Sequence, residues 1–330
     1  MKAIRASGGT VAVDNSYAPA RPTPGEAAVR PLRVALTESD AAVVRAPAEF
    51  KGVLGHQFVG IVEHVEARPG RDDAKWVGRR VVGSPVVVCG QCDRCRAGLS
   101  VHCAARTVLG LHGRDGCLAE RFTIPVMNLV EVPRAVTDDA AVFALPVGAA
   151  LHAALILRVE GKPYVTVLGD GVDALLSAQL MARLNASVRL LGWRPEQFGL
   201  CERWGVKHRH ADEVGRRQDQ DVVVDCTGTA EGFALASGLI RPRGKIVLRS
   251  VTPGVPGAGS IATANLSAIV THEVEVIGAR SGGLAEGIES LSRASVEIAP
   301  LITARFRLSE AAAAFSKACE PGQLRVIIEP

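Results

Sequence analysis

Along residues 1–135, short valine-rich runs such as "GIVEHVE" and "RRVVGSPVVV" alternate with glycine and proline turns, which predicts mostly β structure. The texture changes near residue 149. "YVTVLGDG" is an apolar run ending in glycines, "VDALLSAQLMARLNA" carries apolar residues at helical spacing, and "SVRLLGW" is a second apolar run. Strand, helix and strand in that order form a βαβ unit. "DVVVDCTG" and "GKIVLRSV" predict further strands separated by the helical "TAEGFALASGLI", and "VEVIGAR" one more. Their lack of alternation suits parallel strands buried on both faces. The tail, "PLITARFRLSEAAAAFSKACEPGQLRVIIE", reads as strand, helix and strand, and "TPGVPGAGS" (252–260) as a mobile loop.

Residues 140–157, "AAVFALPVGAALHAALIL", carry no charge over the minimum length of a membrane span. Pro146, Gly148 and His152 interrupt the stretch, and "TDD" ahead of it is a helix-start signal. It reads as a buried helical segment broken near Pro146, with no membrane anchor. At 330 residues the chain can hold two domains and a large core. A net charge of +4 without blocks of like charge argues against nucleic acid or an anionic membrane as partner. The start, "MKAIRASGGTVAVDN", lacks the apolar core of a signal peptide.

Of eight cysteines, four fall together in "CGQCDRCRAGLSVHC": Cys89, Cys92, Cys95 and Cys103. Their spacing lets four thiolates meet one tetrahedral ion with no open position, which predicts structural zinc. A ferredoxin-type iron–sulfur cluster would end in a shorter gap followed by proline, whereas Ala104 follows here. Such a cluster points to metal rather than disulfides, and to the cytoplasm.

With this cluster, the order of "VLGHQFVGIVE", "GCLAERFTIP", "LPVGAALHA", "VLGDG", "DVVVDCTGTAEG", "LIRPRGKIVL" and "APLITARFRLSEAAAAF" resembles the zinc-containing alcohol dehydrogenases of the medium-chain dehydrogenase/reductase superfamily. The resemblance covers nearly the whole chain. It implies an α/β protein: a GroES-like, mostly β catalytic domain (1–148 and 281–330, with the zinc lobe at 89–103) around a Rossmann domain with a doubly wound parallel sheet (149–280). It also implies a homodimer or homotetramer acting on a small molecule.

"GDGVDA" (169–174) follows a predicted strand and opens a helix, as a dinucleotide fingerprint requires. Gly169 permits the tight turn, Gly171 admits the pyrophosphate to the helix N-terminus, and Ala174 stands for the third glycine. Asp173 departs from the family's apolar residue, with a charge that suits the helix dipole but not a phosphate. The resemblance places Thr227 of "DCTG" at the cofactor as well. An NAD site usually ends its second strand in an acid; here Gly192 stands in that place and Arg194 two residues on. That pattern looks like NADP-using relatives, so NADP(H) is expected ahead of NAD(H).

In the resembled enzymes a second, catalytic zinc is held by cysteine, histidine and a further cysteine or glutamate. Here "TESD" puts Thr37 at the cysteine position and keeps Ser39 and Asp40, while His56 survives in "GVLGHQFVG". Gln57 replaces the following glutamate, and Leu145-Pro146 a glutamate-proline pair. One imidazole cannot hold a catalytic zinc, so none is expected unless Cys117, His112 or His152 rebuilds the site. His56 is then either a core histidine satisfied through Asp40, or a proton relay with Ser39. In an active enzyme Ser39, Thr37, Gln57 and His56 would line the substrate pocket. Two functions remain open: an NADP(H) oxidoreductase without catalytic zinc, and a non-catalytic nucleotide-binding sensor or scaffold.

Overall fold

The valines of "GIVEHVE" lie in the strand Gln57–Glu66, which pairs antiparallel with the long strand Glu26–Leu36. Val62 and Val65 are buried while His64 and Glu66 face out; the pairing slips one residue at Glu63, between the partners of Val29 and Ala28, which brings two valines three apart to the covered face. The computed structural model describes residues 1–330 apart from 8, 46–49, 158–160, 185, 216 and 251–262. The loop expected at 252–260 therefore lies outside the described residues. The chain divides into two compact units, Met1–Leu145 with Leu301–Pro330, and Pro146–Pro300.

The first unit is built on a seven-stranded sheet in which Glu26–Leu36 is central. The tail strand Arg325–Glu329 pairs antiparallel with it, Ile327 opposite Ala35, so the end of the chain completes the sheet begun near its start. Phe58 and Phe122 pack edge to face at 4.7 Å in its core, beside Ile4, Leu54 and Ile124. A second, three-stranded sheet includes Gly52–Val53 and leads the chain into Leu54, Gly55 and His56.

The second unit holds six parallel strands. In chain order they are Tyr164–Leu168, Ser187–Gly192, Lys207–His210, Gln220–Asp225, Ile240–Leu248 and Glu275–Gly278. Across the sheet the order is third, second, first, fourth, fifth, sixth, so direction reverses between first and fourth. Val165, Val167, Leu190, Leu191, Val223 and Val224 are all buried, which is why these runs do not alternate. The third strand, "KHRH", has no apolar run at all and sits at the sheet edge, where hydrogen bonding to one neighbour suffices.

The segment 140–157 breaks earlier than expected. Thr137 caps a short helix, Asp138–Ala141, by accepting from the Ala140 amide at 3.2 Å, and a second helix runs Ala144–Ile156. Pro146 lies in the first turn of that second helix, where its missing N–H has no intrahelical acceptor to lose. Residues 281–300, which the family layout gives to the catalytic domain, fall in the second unit. Leu284, Ile288 and Leu291 are buried on the helix Leu284–Ser292, and Glu297 bonds Gln179 and Trp204. Among the described residues no helix is long and apolar enough to cross a membrane.

Candidate functional site

Three constellations gather the candidate residues. In the cysteine lobe, a one-turn helix, Asp93–Arg96, and the turn Ser100–His102 bring the thiols together. Cys92 and Cys95 sulfurs lie 3.5 Å apart, Cys103 and Cys89 3.5 Å, Cys92 and Cys103 3.9 Å. All four lie within 4.8 Å of one another. A tetrahedral zinc with Zn–S bonds of about 2.3 Å spaces its sulfurs roughly 3.8 Å apart, so these four fit the ion. Backbone N–H groups of Gln91 and Cys92 push the Cys89 thiol down, and that of Cys95 lowers Cys92. Burial and the neighbouring thiols push Cys95 up, as expected where four sulfurs cannot all ionise without a cation.

Around His56, the "TESD" segment is a capping box. The Thr37 amide and hydroxyl both donate to Asp40 Oδ2, at 2.8 and 2.7 Å, while the Asp40 amide donates back to Thr37 Oγ1 at 3.3 Å. Thr37 thus starts the helix Glu38–Arg45. Asp40, wholly buried, also accepts from the Gly55 amide at 3.2 Å and lies 3.4 Å from His56 Nδ1. Burial acts to raise the Asp40 carboxyl, but the charge of His56 and the hydrogen bonds from Thr37 outweigh it and hold the group below its ordinary value.

Gly55 has φ +93°, and a Cβ there would stand 2.7 Å from Leu118 Cγ, so only glycine turns the chain to seat His56. His56 is 6% exposed; its Nδ1 faces Asp40 without hydrogen-bond alignment, and Gln57 Oε1 is buried without a partner. Ser39 is half-buried on the same short helix.

Cys117 is buried beside this group, its thiol pushed well up by burial and by Asp40, whereas His112 is exposed. His152 is half-buried on the helix Ala144–Ile156, in the second unit. Among the described residues the four lobe cysteines are the one group of three or more metal-ligating side chains in reach of a common ion.

The glycine loop opens the second unit. Gly169 has φ +123° and donates its amide to Leu191 O, and Gly171 is the N-cap of the helix Val172–Arg183 without a capping side chain. Among the described residues its first-turn amides have no side-chain acceptor, which is how such a loop receives a phosphate. Ala174 is fully buried close behind Gly169. Thr227 donates its amide and hydroxyl to Asp225 at 2.8 and 2.6 Å. At the end of the second strand a carboxylate from the glycine loop lies against Gly192. Asp170 accepts from the amides of Trp193 (2.9 Å) and Arg194 (3.3 Å), and a Cβ on Gly192 would stand 1.9 Å from Asp170 Oδ1. Burial raises the Asp170 carboxyl, against the pull of those amides and of Arg194.

Two residues of this site escape sequence reasoning: Asp170, and Arg249, which lies 3.8 Å from Asp173. A charge in the middle of "GKIVLRSV" is the signal that could have singled out Arg249.

Residues 23–134 match the alcohol dehydrogenase GroES-like domain. The chain is 30% identical over 212 residues to L-threonine 3-dehydrogenase of Chelativorans sp. (strain BNC1), a match over 61% of this chain and 60% of that one. The chain thus spans about 60% of the length of the curated relatives it matches. Among solved structures it is similar to a zinc-binding dehydrogenase of Sinorhizobium meliloti 1021 bound to NADP. The TM-score is 0.88 at 26% identity, over 100% of this chain and 99% of that one. A short chain alcohol dehydrogenase of Escherichia coli CFT073 complexed with NADH shares the fold, with TM-score 0.89 and 23% identity over 100% and 99%.

Proposed function

We propose that the chain is a zinc alcohol dehydrogenase-like member of the medium-chain dehydrogenase/reductase superfamily, an NADP(H)-dependent oxidoreductase that works without a catalytic zinc. Its substrate class is a small carbonyl, alcohol or activated alkene. The observation that carries this reading is the contrast between two constellations. The glycine loop has its tight turn and an uncapped helix N-terminus, with Arg194 after the neighbouring strand, whereas His56 faces an Asp40 that is shared with Thr37 in a helix cap. The bound nicotinamide would supply or accept the hydride. Gly169, Gly171 and Ala174 would seat the pyrophosphate, and Gly192, Arg194 and Thr227 would border the rest of the dinucleotide. His56, oriented by Asp40, would hold or move the proton at the substrate oxygen, with Ser39 and Gln57 as further polar contacts. An electron-poor acceptor, a quinone or enone, needs less Lewis-acid help than a simple alcohol. The lobe cysteines would hold a structural zinc, and the protein would act as a cytoplasmic homodimer or homotetramer, which light scattering would measure.

Trp193, beside Arg194 and 37% exposed, provides a fluorescence reporter for titration with NADPH and NADH. NADPH is expected to quench it at micromolar levels and to be oxidised by at least one quinone, enone or aldehyde. Failure of both dinucleotides to bind at millimolar levels would end the proposal. Tight binding without turnover across those acceptors would favour the nucleotide sensor instead, a reading supported by the two acids in the glycine loop. The 2′-phosphate of NADPH would meet the Asp170 carboxylate as well as Arg194. Asp170→Asn should therefore strengthen NADPH binding by about tenfold relative to NADH, the effect of relieving one nearby like charge. An unchanged NADPH-to-NADH ratio would place the 2′-phosphate elsewhere.

A further inference from the structure

Asp173 poses a problem for the dinucleotide reading, since it puts a carboxylate in the first turn of the helix that should receive a diphosphate. Its surroundings contain an answer. Arg249 follows the fifth strand directly, and its amide donates to Asp225 O at 2.8 Å, while the Cys226 amide donates to Leu168 O. The ends of the first, fourth and fifth strands are thereby tied together at the carboxyl edge of the sheet, beside the reversal of strand order, where open α/β sheets bind their ligands.

The Arg249 side chain is 1% exposed. Nη1 donates to the carbonyls of Ala149 (2.8 Å) and Ala279 (3.1 Å), Nη2 lies 3.8 Å from Asp173 Oδ1, and Nε has no partner among the described residues. Among the described residues, Asp173 is the one carboxylate in ion-pair range of this buried guanidinium, and at the limit of that range. Asp173, with its side chain 35% exposed, is the partner that opens towards solvent.

We propose that Arg249 is a positioning residue of the dinucleotide site: it offsets Asp173 at the helix N-terminus and so lets a loop with two acids accept a pyrophosphate. The inference rests on the dinucleotide reading above and extends it to a residue outside the glycine fingerprint. Without the cation, the carboxylate would cancel much of the attraction that the helix amides offer an anion. With it, the pair is close to neutral and the amides act unopposed.

The test is a double-mutant cycle read by NADPH and NADH titration, with thermal melts confirming that each variant is folded. Arg249→Met should weaken binding by about tenfold or more, and Arg249→Lys by less, because it keeps the charge. Asp173→Asn should bind at least as well as the unaltered chain. Arg249→Met combined with Asp173→Asn should return to within about threefold of it, since both charges are gone.

A residue that merely clamps Ala149 and Ala279 would give a double variant as weak as Arg249→Met, and that result overturns the inference while leaving the dinucleotide reading intact. Full affinity in Arg249→Met does the same. If Arg249→Met does not fold, Arg249→Lys and the double variant decide alone. If the unaltered chain binds neither dinucleotide, reading and inference fall together.

Discussion

A Cys103→Ser chain should leave purification with well under one zinc and melt far below the parent. Cys103 is the buried member of the four, in reach of both Cys89 and Cys92. A neutral hydroxyl cannot replace its thiolate, and the remaining three sulfurs then hold the ion weakly. The lobe has little else to hold it, since neither Asp93–Arg96 nor Ser100–His102 buries a residue. Metal binding would therefore contribute directly to folding free energy. The expected loss is at least about 3 kcal/mol, seen as a lower urea midpoint, and the chelated parent should show the same midpoint. A variant that kept both its zinc and its midpoint would show that the cysteines hold no structural ion.

Asp40→Ala should be the other severe change. One carboxylate serves the Thr37 amide, the Thr37 hydroxyl, the Gly55 amide and His56, all in the interior. Removing it strands every one of them and uncaps the helix Glu38–Arg45, at a cost of about 3–5 kcal/mol. Asp40→Asn keeps an acceptor oxygen and should lose less. The pH dependence follows from the direction of the shift. The folded carboxyl is held below its ordinary value, so its contribution is present above the unfolded value of 3.8 and is lost as pH falls through the folded one. Acid unfolding of the parent should accordingly steepen below pH 3.8, and that part should be missing in Asp40→Ala. Matching acid limbs would mean that Asp40 is not the group that titrates.

The sequence is most legible where function depends on local spacing. Four thiols within one short stretch and glycines at a strand-to-helix turn can be recognised because neighbouring residues alone produce their geometry. The fold was legible wherever apolar runs mark buried strands, and illegible at "KHRH", an edge strand that needs no apolar face. Long-range partners were out of reach. Asp170 meets Trp193 and Arg194 only because the first and second strands pair, and Arg249 meets Asp173 only across strand ends. Asp173, read alone, was a charge unsuited to a phosphate; beside Arg249 it is half of a pair. Thr37 changes similarly, from a lost metal ligand to one side of a capping box with Asp40.

The central claim is that hydride chemistry runs at His56 without a metal there. The most direct measurement is zinc per chain, counted in the preparation used for NADPH oxidation, for the parent and for His56→Ala. The account predicts about one zinc in both, with oxidation impaired in the variant. About two zincs in the parent, falling to about one in His56→Ala, would contradict it.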